Sequence, residues 1–259
     1  MIDVNIGSEK LPVMIINLKH RSIVSIPTQI GCVIGCTFCI SSQSKASRSL
    51  TAIEMHTLAI EGLKIAKNKP ALLSLTGEGE PFLNIKNINQ LFANLADNQD
   101  ITHFRVCTSG IRPDKFAFIA TDHKPVDIQL SLHSPNDDVR RKLIPKTRDV
   151  ADIINSMITY QHRFNEIAVN YVLMDNINDS DTDAMALKNI IPTNWVIKLN
   201  PMLDEGGQYS ASRNTDGFYQ ILKSLGSNVM QFNKVGSSIK NGLYGRLTYD
   251  KNNAIALSC

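Results

Sequence analysis

Three cysteines within eight residues, Cys32-Val-Ile-Gly-Cys36-Thr-Phe-Cys39, are the densest chemistry in this 259-residue sequence. Spaced by three residues and then two, with Gly31 and Gly35 to turn the backbone, they can wrap three thiolates around one inorganic centre. Thiolates are soft ligands that select zinc, copper(I) or an iron–sulfur cluster over magnesium or calcium. A structural zinc closes with four protein ligands, and a four-iron cluster has four irons to ligate. Three cysteines on one loop leave one coordination position to find. Cys107 and Cys259 lie far away in the sequence, so an open position is the natural reading. Zinc-bound or simply buried cysteines are the plainer alternative.

Such a loop needs a rigid base, and the flanking sequence supplies alternating strands and helices. Ser22 to Thr28 has strand composition and runs straight into the cysteine loop, after a short mixed extension (residues 1–21) in which Leu11 to Leu18 offers a small apolar strand. Leu50 to Lys67 repeats its apolar residues at helical spacing. Ala71 to Leu75 then reads as a strand, Ile85 to Leu95 as a helix, Thr102 to Thr108 as a strand and Asp114 to Ala120 as a helix. A strand over Val126 to Leu132, a helix over Val150 to Phe164 and a strand over Ile167 to Met174 follow. The series ends with a helix over Ser180 to Ile190, a strand over Trp195 to Leu199, a helix over Thr215 to Leu225 and an extended Asn228 to Asn233.

This alternation argues for parallel strands with right-handed helical crossovers. Roughly six repeats are visible, fewer than the eight that close a barrel. The expected fold is α/β, a partial (β/α)6 barrel of parallel strands. No linker rich in proline, glycine or serine divides the chain. Residues 1–259 are therefore expected to form a single domain, with a core over about 22–235 and a C-terminal segment over 236–259.

In parallel α/β folds, ligands bind beyond the carboxyl ends of the strands. Those ends read Cys32 to Cys39, Gly77-Glu-Gly-Glu-Pro81, Cys107-Thr-Ser-Gly110, Ser131-Leu-His-Ser134 and Asn200-Pro201, all polar or glycine-rich. Gly77 and Gly79 let the backbone approach a ligand without a Cβ in the way. Glu80 offers a carboxylate to an amino group. The simpler readings are an ordinary β-turn at Gly77 to Pro81 and a satisfied histidine at His133.

The C-x3-C-x2-C spacing, with Phe38 just before the last cysteine, resembles the cluster loop of the radical S-adenosylmethionine (SAM) superfamily. That resemblance implies a [4Fe–4S] cluster on Cys32, Cys36 and Cys39, its open iron chelated by the amino and carboxylate groups of SAM. It also implies reductive cleavage of SAM to methionine and a 5′-deoxyadenosyl radical, with a reductase such as flavodoxin or ferredoxin as partner. The fuller pattern is narrower. Gln29-Ile-Gly-Cys32 through Cys39, Gly77-Glu-Gly-Glu-Pro-Phe-Leu-Asn84, Thr108-Ser-Gly110 and Ser131-Leu-His-Ser-Pro-Asn-Asp137 resemble one branch of that superfamily. It is the branch that methylates adenine in large-subunit ribosomal RNA and tRNA, with its chloramphenicol–florfenicol resistance relative. The resemblance covers about residues 20–250 and implies a SAM pocket lined by Gly79, Glu80, Cys107, Ser131, Leu132, His133 and, by a looser match, Asn200.

The departures from that branch concern its two further cysteines. The resolving cysteine would stand seven residues before Cys32, where this sequence has Ser25. The methyl-carrying cysteine would fall within Gly236 to Leu247, where Tyr244, or with different slack Leu243, takes its place. A hydroxyl or phenol cannot replace a thiolate that must be alkylated, activated and displaced. Cys259 is the one spare thiol near the end, fifteen residues beyond Tyr244. Cys107 replaces an expected serine, and neither the branch's general base nor its N-terminal RNA-binding domain is seen.

Composition sets the outer bounds. With 43% hydrophobic residues the chain suits a globular core, and a net charge of +3 does not by itself indicate a nucleic-acid partner. No apolar run approaches the ~20 residues that span a bilayer, and the cysteine usage fits a reducing cytoplasm. Arg140-Arg-Lys142, Lys146 and Arg148, with Lys45 and Arg48, could contact phosphates, although a solvated helix start is the default reading of the first group. The expected function is thus a radical SAM enzyme acting on a nucleobase, nucleotide or RNA without methyl-cysteine chemistry. A true adenine methyltransferase, or a non-catalytic metal- or RNA-binding protein on the same fold, are the alternatives.

Overall fold

A computed structural model describes residues 1–43, 48–202, 208–234, 247–250 and 255–257. In chain order the elements are β1 (Ile2–Ile6), β2 (Glu9–Asn17), β3 (Ser22–Ile26), β4 (Gln29–Ile30), β5 (Arg48–Ser49), α1 (Ala52–Ile65) and β6 (Ala71–Leu75). Then come α2 (Ile85–Asn94), β7 (Ile101–Thr108), β8 (Val126–Ser131), α3 (Asp137–Leu143), α4 (Val150–Tyr160), β9 (Ile167–Leu173), α5 (Asp181–Ile190) and β10 (Val196–Pro201). The last are α6 (Thr215–Ser224), β11 (Val229–Lys234), β12 (Leu247–Asp250) and β13 (Ile255–Leu257).

Strands β3, β6, β7, β8, β9 and β10 pair in that order, all parallel. They form the expected partial barrel, its edges extended rather than joined. The hairpin β1–β2 adds to β3 antiparallel, while β11 adds a seventh parallel strand beside β10, followed by antiparallel β12 and β13. Helix α1 starts on a reciprocal cap in which Thr51 and Glu54 satisfy each other's backbone N–H groups.

Three local differences from the sequence expectation have physical causes. Residues 1–21 form a complete hairpin because Gly7, at φ +61°, makes a turn that lets Ile2 to Ile6 pair back on β2. The segment after β7 is a 3-10 turn over Pro113–Phe118 rather than a regular helix. The Ala120 amide donates to Asn89 Oδ1 at 3.0 Å and the Phe116 carbonyl accepts from Arg163, so the α-helical bond between them is not made, and Phe116 is held against Phe82, ring centroids 4.7 Å apart. Helix α3 is additional, started by Asn136, whose side chain accepts from the Asp138 and Val139 amides.

Period-two alternation splits each strand between two environments. Leu73, Leu75, Phe104, Val106, Ile128, Leu130, Val169, Tyr171, Ile197 and Leu199 join the main apolar core beneath the helices. Between them stand Ser74, Arg105, Cys107, Gln129, Asn170 and Lys198, all buried and on the opposite, interior face. The barrel interior is therefore polar. Near the amino ends of the strands it is closed by charge pairs. Arg105 meets Asp127 at 3.1 Å, His103 meets Asp127 at 3.2 Å, and Lys198 meets Glu166 at 3.1 Å. Burial opposes the Asp127 charge, but His103 and Arg105 outweigh it and hold the carboxyl down to about 2.

Candidate active site

The cysteine loop leaves the carboxyl end of β3 and is bracketed at its base by the β4–β5 ribbon, where Gln29 faces Ser49 and Ile30 faces Arg48. Gly31 at φ +72° and Gly35 at φ +75° supply its left-handed turns. Within it the Cys39 amide donates to the Cys36 carbonyl at 3.0 Å. Its outer edge is fastened to α3, the Thr37 amide donating to the Leu143 carbonyl at 3.0 Å, and to Tyr209, whose hydroxyl lies 2.8 Å from Thr37 Oγ1. Ile34 and Phe38 pack with Leu143, Ile144, Val172 and Met174, and the three cysteines lie partly buried against this group.

Burial pushes the Cys32 thiol up to about 11, against the Ile34 and Gly79 amides that pull it down. Cys36 is raised well above an ordinary thiol by burial and by Cys39 and Cys32, while Arg140 acts in the opposite direction. These thiols stay protonated without a metal, so binding one releases protons. Among the described residues, no group of three His, Cys, Asp or Glu is arranged to hold a metal ion. Three sulfurs whose thiolate forms would repel one another, amides aimed at one sulfur and a neighbouring cation fit an anionic cluster in which each thiolate would hold its own iron.

The other strand ends gather around this loop, each in a distinct way. Gly79, at φ +99°, lies so close to Gln29 that a Cβ would stand 2.7 Å from the Gln29 Cβ and 2.8 Å from its backbone nitrogen. Its glycine thus serves the contact between the β6 turn and the base of the cysteine loop. The Glu80 carboxylate accepts from Thr108 Oγ1 (2.5 Å), the Ser109 amide (2.8 Å), Ser109 Oγ (2.7 Å) and the Phe82 amide (3.0 Å). It is a buried latch between the ends of β6 and β7. Cys107 is buried, its sulfur 3.9 Å from Ser74 Oγ. Ser131 lies on the interior face, but the Leu132 side chain turns into the main core, so only its backbone reaches the site.

His133 is a left-handed residue at φ +59°. Its Nδ1 accepts from the Val172 amide at 3.1 Å and its ring stands edge-on to Phe38, centroids 4.9 Å apart. Asn200 is buried at the end of β10, its Nδ2 donating to the Lys198 carbonyl at 3.0 Å. Of the further thiol positions, Ser25 is buried in β3 beside Ser74, while Tyr244 and Cys259 lie outside the described residues, as does Lys45.

Two residues are absent from the sequence reading of this site. Asn170 on β9 sits opposite Ser131 on β8 and Lys198 on β10, fully buried, with neither amide atom bonded among the described residues. Its strand alternation was the available signal. Arg140 is the second, and here the expectation is corrected: it is no surface phosphate contact but is fully buried, because its stem and head fill the space between α3 and the strand ends. Arg141 is spent on Asp138 and Asp149, and Arg48 on Glu54.

Residues 26–188, from the last residue of β3 into α5, match the model of the radical SAM superfamily. The chain belongs to the radical SAM superfamily. The curated protein "Probable dual-specificity RNA methyltransferase RlmN" of Caldicellulosiruptor saccharolyticus is 31% identical over 85% of this chain and 67% of its own length. Its namesake from Oceanobacillus iheyensis is 31% identical over 79% of this chain and 63% of its own length. The chain spans about two thirds of these curated relatives. A crystal structure of a radical SAM methyltransferase from Sphaerobacter thermophilus shares the fold at TM-score 0.79, with 24% identity over 89% of this chain and 72% of that one. The protein is a radical SAM enzyme of the methyltransferase-like kind. Among its described residues, no helix is long and apolar enough to cross a membrane.

Proposed function

We propose that this radical SAM enzyme holds a [4Fe–4S] cluster on Cys32, Cys36 and Cys39, binds SAM at the strand ends, and modifies a nucleobase, nucleotide or RNA without methyl transfer through a protein cysteine. The carrying observation is the fastening of the three-cysteine loop over a polar barrel interior at the carboxyl ends of the strands. When bound, the cluster and SAM supply a reductively formed organic radical.

The chain's own residues hold and orient. Cys32, Cys36 and Cys39 supply thiolates, and the amides of Ile34 and Gly79 stabilise the charge on the first. Glu80, through Thr108 and Ser109, fixes the β6 and β7 ends as one wall of the SAM pocket. Gly79, Cys107, Ser131, Leu132 by its backbone, His133 and Asn200 complete the lining, with Asn170 below them. Ile34 and Phe38 restrict water on the loop side.

The reading of a nucleic-acid substrate is supported by the names of the relatives, which are RNA methyltransferases. Departure from their methyl transfer rests on Ser25, whose buried hydroxyl stands where a thiol would be needed. We read residues 1–259 as one domain, in keeping with the continuous eleven-strand sheet, working in the cytoplasm with a flavodoxin- or ferredoxin-type reductase.

The test is anaerobic reconstitution with methyl-labelled SAM. The reading expects about four iron and four sulfide per chain, 5′-deoxyadenosine as product, and no labelled cysteine in peptide mass spectra. Label on Cys107 or Cys259 that passes to RNA would restore the methyltransferase reading, and tightly bound zinc without SAM cleavage would make it a binding protein. Nucleoside mass spectrometry of cells with and without the gene identifies the product.

A further inference from the structure

We propose that Arg140 is the built-in counter-charge of the iron–sulfur cluster, a positioning residue that makes the cluster easier to reduce. This rests on the assignment of the cluster to Cys32, Cys36 and Cys39. Arg140 projects from α3 and is among the largest fully buried side chains of the protein. One terminal nitrogen donates to the Ser131 and Leu132 carbonyls, and the other to the Ser109 carbonyl at 2.5 Å. Three backbone carbonyls from the ends of β7 and β8 thus pin the guanidinium in place. Its Nε has no partner among the described residues.

Among the described residues, no carboxylate forms an ion pair with the guanidinium. Asp137 and Glu80 attract it, but Glu80 is occupied by its four donors and Asp137 accepts from the Val150 amide. The group whose negative charge would favour it most is Cys36. The same helix touches the cysteine loop directly, through the Thr37 to Leu143 bond at 3.0 Å. A buried charge without a counter-ion is costly, and carbonyl dipoles recover only part of that. The fold therefore maintains a positive potential beside Cys36.

Three thiolates and a four-iron cluster carry net negative charge, which grows by one when the cluster accepts an electron. A fixed cation stabilises the more negative state more strongly, so Arg140 raises the reduction potential. Because carbonyls hold the guanidinium, its charge cannot swing away to water. The competing explanation is mechanical: Arg140 merely clamps β7 to β8.

Reduction potential separates the two. The full chain, reconstituted anaerobically and titrated without SAM while the reduced cluster is followed by electron paramagnetic resonance, is compared with Arg140→Gln and Arg140→Lys. At the wild-type midpoint, Arg140→Gln is expected to show at least a tenfold lower reduced-to-oxidised ratio, about 59 mV for a one-electron couple, with iron and sulfide content retained. Arg140→Lys is expected to stay within about threefold of wild type, since it keeps the charge. A fully loaded Arg140→Gln with an unchanged midpoint overturns the proposal in favour of the clamp. Should Arg140→Gln fail to load, Arg140→Lys decides. A loaded lysine variant near the wild-type midpoint supports the charge role, because lysine cannot span three carbonyls. A lysine variant that also fails to load, or shifts tenfold, supports the clamp. Failure of the underlying cluster assignment looks different, as wild-type protein without iron and sulfide.

Discussion

Arg105 and Arg140 are both buried in this barrel, one toward each end, and their surroundings are opposite. Arg105, near the amino ends of the strands, meets Asp127 at 3.1 Å and Glu166 at 4.0 Å, within a network that includes His103 and Lys198. Among the described residues, Arg140, at the carboxyl ends, donates to backbone carbonyls and pairs with no carboxylate. Both leave Nε without a partner among the described residues, so the difference lies in the carboxylates. Charge is neutralised within the protein at the closed end and left unneutralised at the open one. The first arrangement holds the barrel together. The second suits a site whose charge is completed by what binds there.

Mutations at the two ends should therefore fail differently. The largest effect belongs to the open end: alanine at Cys32, Cys36 or Cys39 is expected to abolish cluster loading and SAM cleavage while leaving the apo fold intact, as read by iron content and circular dichroism. Equal 5′-deoxyadenosine from any single mutant would break the assignment. Next is the closed end. Asp127→Ala strands Arg105 and His103 and should cost about 3–5 kcal/mol of stability in denaturant unfolding, without altering the cysteine loop.

The Asp127 pair also fixes a pH signature. Its carboxyl lies at about 2 in the folded chain against an ordinary 3.8, so the folded form binds fewer protons than the unfolded one in that window. The stabilisation is full above the unfolded value and is lost as pH falls toward 2. In Asp127→Asn the acid-side loss should be smaller than in wild type, the remainder coming from Glu54, Asp114 and Asp175, whose carboxyls are also held low by arginine partners; a loss as large as that of wild type would take Asp127 out of the account. Glu80→Gln sits between the two ends in character. It keeps the shape but removes the charge from a four-donor latch, with an expected loss of about 1–3 kcal/mol and weaker SAM binding by calorimetry. Unchanged SAM affinity would confine Glu80 to the fold.

The smallest effect is expected where an arginine–carboxylate pair faces water. Arg213 and Asp175 meet at 2.9 Å on the rim of a polar cleft of about 730 Å³, with Arg213 82% exposed. Water competes for the Arg213 head, while Asp175 itself is 18% exposed, so Asp175→Asn should change the thermal midpoint little. The cleft, lined also by Asp179 and Asp183, presents the wrong sign of charge to a phosphate backbone.

The sequence by itself determined the alternation of strands and helices and the spacing of three thiols, because both are local. Period-two and helical patterns, and a loop carrying its own ligands between two glycines, survive without knowledge of what packs against them. That Ser25 occupies the resolving-cysteine position is instead an inference from the resemblance, through its offset to Cys32. The tertiary structure decided which charges are satisfied. Arg140 and Arg141 are neighbours of the same type, yet α3 turns one inward to three carbonyls and the other outward to Asp138 and Asp149. Gly79 reads as room for a ligand until the fold brings Gln29 against it, and Glu80 as an open acceptor until Thr108 and Ser109 arrive from the next strand. Those partners lie 28 or more residues away in sequence. Only the register of neighbouring strands brings them within hydrogen-bonding distance.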